Sequence, residues 1–410
     1  MNKALPQGWK MLKFEDIGIH ISEKIAPGKT ELGRYVGLEH LDSESLRIKR
    51  WGAPSDVIGE KTRVRPGEVI FGKRRAYQRK LAIAEFDCIC SAHAMVLKAN
   101  ENAVRKDFFP FFLQSELFME QALRISVGSL SPTINWGTLK KQEFPVPPLA
   151  EQKRIAEILW AVENSIRKTE DAIEVAERYK RTLMKHLFMY GPVSVKKSKQ
   201  MKIKQTKMGK IPESWIVHKV RELAEVVLGG TPSTQNSMYW NDEVPWMVSG
   251  DVHKNIITEV SGRISKLGLE ESSATMVNPP AVAIALAGQG KTRGTAALTM
   301  IPLCTNQSVA LIKPNESILI ASYLYYNLTH RYKELRSMST GSSGRGGLNK
   351  RIIESIHIAV PPICEQEEIS SILSSIDNRI ALGHQQQVDL KQLKNGLMQV
   401  LLTGKLRVAV

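Results

Sequence analysis

Two short loops concentrate side chains suited to hydrogen bonding with nucleic-acid edges and phosphates. The first is Gly72-Lys73-Arg74-Arg75-Ala76-Tyr77-Gln78-Arg79-Lys80. The second is Gly288-Gln289-Gly290-Lys291-Thr292-Arg293-Gly294. An arginine fork fits guanine edges or phosphate oxygens, glutamine matches adenine, and Tyr77 adds a flat face. Each loop is flanked by runs with strand character. These are Val69-Ile70-Phe71 and Leu81-Ala82-Ile83-Ala84 in one case, and Ala281 through Leu286 and Thr295 through Leu298 in the other. One cationic turn by itself reads as a solvated surface. Its recurrence at matching places makes DNA contact the expectation for Lys73, Arg74, Arg75, Tyr77, Gln78, Arg79, Lys80, Gln289, Lys291, Thr292 and Arg293. Arg345 joins them from the Gly-rich run Thr340-Gly341-Ser342-Ser343-Gly344-Arg345-Gly346-Gly347, whose counterpart is Val127-Gly128-Ser129-Leu130-Ser131-Pro132. For these runs, and for Gly229-Gly230-Thr231-Pro232-Ser233-Thr234, turn architecture and phosphate contact are equal readings.

Other candidate chemistry falls away on spacing. Gly290-Lys291-Thr292 comes after an apolar strand as a P-loop would, but Ala285 stands where the P-loop needs glycine. The run after Gly294 also reads as strand rather than the helix that would hold phosphate. Cys88, Cys90 and His93 lie close together without a second CxxC or HxxxH pair, so Cys88-Ile89-Cys90 reads as a buried strand using cysteine as a small hydrophobe. No adenine-methylation motif, glycine-rich cofactor turn or nucleophile–His–acid set is present, so a non-catalytic chain without cofactor or metal is expected.

The net charge of +16 and a pI of about 9.6 call for a polyanionic partner, though phosphate attraction alone carries no sequence information. No apolar run is long enough to span a bilayer, and Met1-Asn2-Lys3-Ala4-Leu5-Pro6 lacks a signal-peptide core. A cytoplasmic protein off the membrane is expected.

These loops sit in a chain that repeats itself. Leu5-Pro6-Gln7-Gly8-Trp9 returns 206 residues later as Ile211-Pro212-Glu213-Ser214-Trp215. Val146-Pro147-Pro148-Leu149-Ala150-Glu151-Gln152 returns 214 residues later as Val360-Pro361-Pro362-Ile363-Cys364-Glu365-Gln366. So long a period means two copies of a whole domain with an appended segment. The segment after each Pro-Pro reads as a helix of about 38 residues, about 57 Å long. Ile155, Val162, Ala176 and Leu183 mark a seven-residue frame, and Ile369, Ile376, Leu390 and Leu397 keep it in the second copy. Pro147-Pro148 and Pro361-Pro362 block helix upstream; Gly191-Pro192 and Gly404 close it. Neither stripe can be buried alone, so the two helices are expected to pair, with Ile155, Val162, Leu183, Ile369, Ile376, Leu390 and Leu397 in the seam. The alternative is that each packs only on its own globular half.

The globular halves mix short strands with helices, Phe108 to Leu123 and Ser322 to Leu335, giving an α+β class. Val193 to Lys210 carries seven lysines and no acid and reads as a flexible basic connector. The expected boundaries are 1–148, 149–190, 191–210, 211–362 and 363–410.

Together these residues resemble the specificity subunit of Type I restriction-modification enzymes. The match is strongest from Asn135 through Phe144-Pro145-Val146-Pro147-Pro148 to Ala156, and extends over the whole chain. Leu228 through Thr234, Tyr239-Trp240 and Val244-Pro245-Trp246 are similar to the opening of a target recognition domain. The resemblance implies two such domains, 1–148 and 211–362, joined by two long antiparallel helices with pseudo-twofold symmetry. Each domain would read one half of a split, asymmetric site in double-stranded DNA. The helices would set the gap, about 34 Å for half-sites one turn apart, and dock two modification subunits that methylate adenine. Restriction subunits with motor and nuclease activity would join them. Ile25-Ala26-Pro27-Gly28-Lys29 replaces the Gly-Gly-Thr-Pro-Ser opening in the first copy, which implies two different specificities.

Overall fold

The computed structural model describes residues 5–43, 45–241, 243–288, 290–338 and 347–409. The chain divides into two compact units, residues 1–171 with 384–410, and residues 172–383.

In the first unit a four-stranded antiparallel sheet runs in the order Gly18–Ile21, Ala94–Ala99, Val69–Gly72, Leu81–Ile83. Val69 lies opposite both Leu97 and Ile83, and Phe71 opposite Leu81. The second unit repeats this order in Ala224–Leu228, Val309–Pro314, Ala281–Ala285 and Ala296–Thr299, and adds Ile256–Ile257 at the edge. The two basic loops therefore occupy the same hairpin of each sheet. Beside each large sheet lies a smaller one. In the first unit it comprises Lys24–Ile25, Lys61–Val64, Cys88–Cys90 and Tyr35–Val36; in the second, Arg263–Ile264, Val244–Met247 and Cys304–Thr305.

Each expected helix after the strands is broken in two. Ser115 accepts from Phe118 N at 3.2 Å and so ends Phe109–Gln114 and caps Glu116–Arg124. Ala321–His330 and Tyr332–Ser337 are separated at Arg331. Phe14, Phe112, Phe118 and Phe144 form one aromatic cluster of the first core, with centroids 5.3–5.9 Å apart in the contacting pairs.

The repeated motifs interlock. The indole of Trp9 donates to Glu151 at 3.1 Å, and that of Trp215 to Glu365 at 3.0 Å. Gln152, fully buried, accepts from Arg105 N at 2.8 Å and donates to the carbonyls of Ala103 at 2.9 Å and Pro147 at 2.8 Å. Gln366 does the same with Ile320 N at 2.9 Å, Ile318 O at 2.8 Å and Pro361 O at 2.9 Å. Backbone ribbons, Lys10–Lys13 with Glu143–Val146 and Ile216–Lys219 with His357–Val360, complete each clasp.

The long helices span Leu149–Tyr190 and Ile363–Leu401. In both units they run antiparallel. Lys394 meets Glu163 at 2.8 Å and Gln387 meets Glu170 at 2.7 Å in the first. Lys180 meets Asp377 at 2.5 Å in the second, where Gly383 lets Ile173 approach. Glu163 and Asp377 are matched by the 214-residue offset, as are Lys180 and Lys394. Ile155, Ile369 and Ile376 are buried, whereas Val162, Leu183, Leu390 and Leu397 are half-buried. The deepest row is the neighbouring one: Leu159, Ile166, Ile173 and Leu187, answered by Leu373 and Leu401. Helix ends serve as core: Met398, Leu401 and Leu402 join the first unit's core, and Met184, Leu187 and Phe188 the second's. Gly191 (φ +77°) takes the left-handed turn that stops the first helix, and Gly404 (φ +68°) takes the same conformation three residues after the second ends.

Val193 to Lys210 differs from the flexible connector expected of its composition. It forms a short helix, Val195–Ser198, and a hairpin of Ile203–Thr206 with Gly209–Pro212. Ser194 caps the helix, Gly209 (φ +104°) shapes the turn, and Ile211 anchors the hairpin in the second core.

Cys88 and Cys90 pack among Val36, Val64, Ile70 and Val96. Burial pushes both thiols up to about 12 and that of Cys304 up to about 11. Cys364 is exposed. Alkylation of the native chain near pH 8, read by peptide mass spectrometry, is expected to label Cys364 and spare the other three until the chain is unfolded.

Candidate nucleic-acid interface

The first basic loop is a 3-10 turn. Arg75 (φ 55°) and Arg79 (φ 51°) adopt the left-handed conformation on either side of Ala76–Gln78. Much of its charge is already engaged. Arg79 forks onto Glu116, with Nη2 at 2.6 Å from Oε2. Lys80 donates to the carbonyl of Leu38 at 2.7 Å, and Arg75 Nε to the hydroxyl of Ser131 at 3.2 Å. Gln78 is half-buried, and its carbonyl accepts from Ser43 at 2.7 Å. Tyr77 is exposed.

Lys73 and Arg74 instead join a concentration of positive charge. Arg74 Nη1 lies 3.1 Å from the His93 Nε2. Lys24 bonds the Thr62 hydroxyl at 3.2 Å, and Lys61 the carbonyl of Gly59 at 3.0 Å, so neutral groups rather than acids receive these protons. The titrating groups register the resulting field. Burial first, then Arg74, Lys73 and Lys61, hold His93 below its ordinary range. Burial, then Lys73 and Lys24, do the same to His20; burial and then Lys24 lower Lys73. Gathered in this way, the cations make the local potential positive. Lys24, Lys61 and His20 are scattered along the chain and offered no motif, and His93 drew notice only beside Cys88 and Cys90, so of this group the sequence identified only Lys73 and Arg74 for DNA contact.

In the second unit the loop is braced differently. Thr292 lies 3.1 Å from His253 Nε2, and the Lys291 carbonyl accepts from Tyr332 at 3.1 Å. Arg336 donates to the Gly290 carbonyl. Lys291 is exposed and Arg293 half-buried. Strand Ala296–Thr299, not a helix, comes after the loop. Gln289 and Arg345 lie outside the described residues.

Gly229 and Gly230 serve turn architecture. A Cβ on Gly229 would sit 2.2 Å from the Asn306 carbonyl, and one on Gly230 within 2.5 Å of the Ser273 and Ala274 backbone. Trp246 donates to the Gly230 carbonyl at 2.9 Å and packs edge-on to Trp240 at 5.2 Å, which accounts for the Trp240 and Trp246 spacing. Gly229→Ala is expected to destabilise the second unit by about 2 kcal/mol, seen as a lowered thermal midpoint.

Among the described residues no group of His, Cys, Asp and Glu is arranged to hold a metal, and no helix is long and apolar enough to cross a membrane.

The duplicated head, each carrying a basic hairpin on an identically ordered sheet and clasped to paired helices, defines a two-headed binding protein. The family model of the Type I restriction modification DNA specificity domain matches residues 58–178 and 212–392, and the chain belongs to that family. The type I restriction enzyme MjaX specificity subunit of Methanocaldococcus jannaschii is 25% identical, over 98% of this chain and 95% of its own length. The crystal structure of a Type-I restriction-modification system S subunit from M. genitalium superposes with a TM-score of 0.61 at 13% identity, covering 98% of this chain and 97% of that one. A chain solved in work on complex assembly and conformational transition of the type I R-M system gives 0.57 at 20% identity, covering 98% and 100%.

Proposed function

We propose that the chain is the specificity subunit of a Type I restriction-modification enzyme, reading a bipartite, asymmetric DNA site and performing no chemistry itself. Residues 1–148 and 211–362 are its two target recognition domains, 149–190 and 363–410 its two helical regions, and 191–210 a basic segment between the copies. The helices dock two adenine-methylating modification subunits, which restriction subunits join, in the cytoplasm. The observation that carries this reading is the family match in two copies, each with a basic hairpin in the same place on its sheet. The two hairpins share place but not sequence, as two different half-site specificities require.

The test is selection of random duplexes by the chain with its modification subunits. A two-part motif with a fixed gap is the expected result. Binding that falls with salt whatever the sequence would leave only charge attraction, and methyl transfer by the chain alone would overturn the non-catalytic assignment. Arg74→Ala is expected to relax base preference in one half-site by about 10-fold while the other half is unchanged. Unaltered preference in both halves would remove the first loop from the interface.

A further inference from the structure

We infer that Leu130 is a wedge that enters a base step of the half-site read by the first head. This rests on the DNA-reading function proposed above and adds a residue that no basic-loop argument reaches.

Leu130 is 91% exposed, although the chain had a large core in which to place it. It stands at the apex of a closed turn rather than on a loose loop. Val127 N donates to Thr133 O at 3.0 Å and Thr133 N returns a bond to Val127 O at 2.9 Å. Gly128 (φ +112°) permits the reversal, and the Thr133 hydroxyl bonds the Ser131 carbonyl at 3.2 Å. The turn is zipped to the basic loop. Arg75 N donates to Pro132 O at 2.8 Å, Ile134 N to Lys73 O at 2.9 Å, and Arg75 Nε to Ser131 Oγ at 3.2 Å. Arg74 pairs with Thr133 across an isolated bridge. The exposed leucine is thus held on a turn bonded to the backbone of Lys73 and Arg75 and bridged to Arg74.

Single exposed apolar side chains are common and by themselves mean little. This one sits at the apex of a closed turn whose backbone is bonded to that of Lys73 and Arg75 in the basic loop. The ammonium and guanidinium groups fit phosphates on either side of a step, and an aliphatic side chain between them fits the stacked bases that the step exposes when it opens. Proteins that kink DNA combine these two elements, an apolar wedge and flanking cations. A protein partner with an apolar pocket is the other occupant such a residue could meet. The basic loop to which its turn is bonded favours the polyanion.

The experiment uses the full chain assembled with modification subunits on its selected site. 2-Aminopurine is placed in turn at each position of the first half-site other than the methylated adenine. The expected result is enhanced fluorescence at one step with the parent complex. Leu130→Ala should lose that enhancement and weaken specific binding about 10-fold, leaving non-specific binding and its salt dependence unchanged. Leu130→Met, still apolar and long, should keep the enhancement. The inference is overturned if Leu130→Ala retains the signal, or if its only defect is weaker assembly with modification subunits in the absence of DNA. Arg74→Ala separates the two claims. If it relaxes the half-site while Leu130→Ala changes nothing, the wedge fails and the reading of the loop stands; if neither variant changes anything, both fail.

Discussion

Replacing Lys394 by methionine is expected to destabilise the first unit by about 3–5 kcal/mol. The ammonium of Lys394 and the carboxylate of Glu163 meet at 2.8 Å with both side chains only 5% exposed. Phe111 lies beneath the ammonium, its centroid 5.5 Å away. Removing the lysine leaves a carboxylate in the helix seam. Arg167, with Nε 3.7 Å from Glu163, recovers part of the loss but is also paired to Glu85 at 2.8 Å. The double variant Glu163→Leu with Lys394→Met removes both charges and is expected to return close to the parent stability, since a buried pair adds little over an apolar one. Urea unfolding of the full chain with the single and double variants gives the comparison. A Lys394→Met variant as stable as the parent would show the pair to be solvated. The matched change, Lys180→Met, should cost less. Its pair is more open, at 15% and 24% exposed, and Asp377 keeps the Tyr326 hydroxyl at 2.9 Å.

Gln152→Leu should be comparably damaging, by about 3 kcal/mol or more. The shape is nearly conserved, so the loss isolates hydrogen bonding. One side chain satisfies the amide of Arg105 and the carbonyls of Ala103 and Pro147. Leucine leaves all three without this partner, the carbonyl of Pro147 in a buried bond and the other two in part-buried ones. Gln366→Leu repeats the experiment in the second unit. Thermal unfolding monitored by tryptophan fluorescence is informative in both, because Trp9 and Trp215 belong to the same clasps.

The motifs that showed the duplication in the sequence prove to be the parts of that clasp, which is why they survive in both copies while the heads diverge. Strands such as Ala281–Ala285, and Ala94–Ala99 as far as Leu97, were legible because they are buried on both faces and read as continuous apolar runs. The helix frame was legible in period but not in phase. The seam takes two adjacent rows, and the deeper one, running through Leu159, Ile166 and Ile173, places Lys180 and Lys394 where apolar residues would have marked it. The hairpin at Ile203–Pro212 was hidden by lysines whose backbone nevertheless pairs and whose Ile211 is buried. At the interface, sequence identified the loop but not which charges it spends internally. Arg79 is taken by Glu116, and the positive field felt by His93, His20 and Lys73 is assembled from Arg74 and Lys73 of the loop with Lys24 and Lys61 brought in by separate strands. Such neutralisation and gathering are tertiary events with no local spacing.

The first unit is discontinuous: residues 384–410 belong with residues 1–171, and Met398, Leu401 and Leu402 fill its core. During synthesis the opening head therefore leaves the ribosome without the apolar plug that closes it. The second unit is contiguous and can finish first, inverting the usual order of domain maturation. At translation speeds of about 5–20 residues per second the opening head waits on the order of 10–50 s, exposed to chaperones and proteases for that interval.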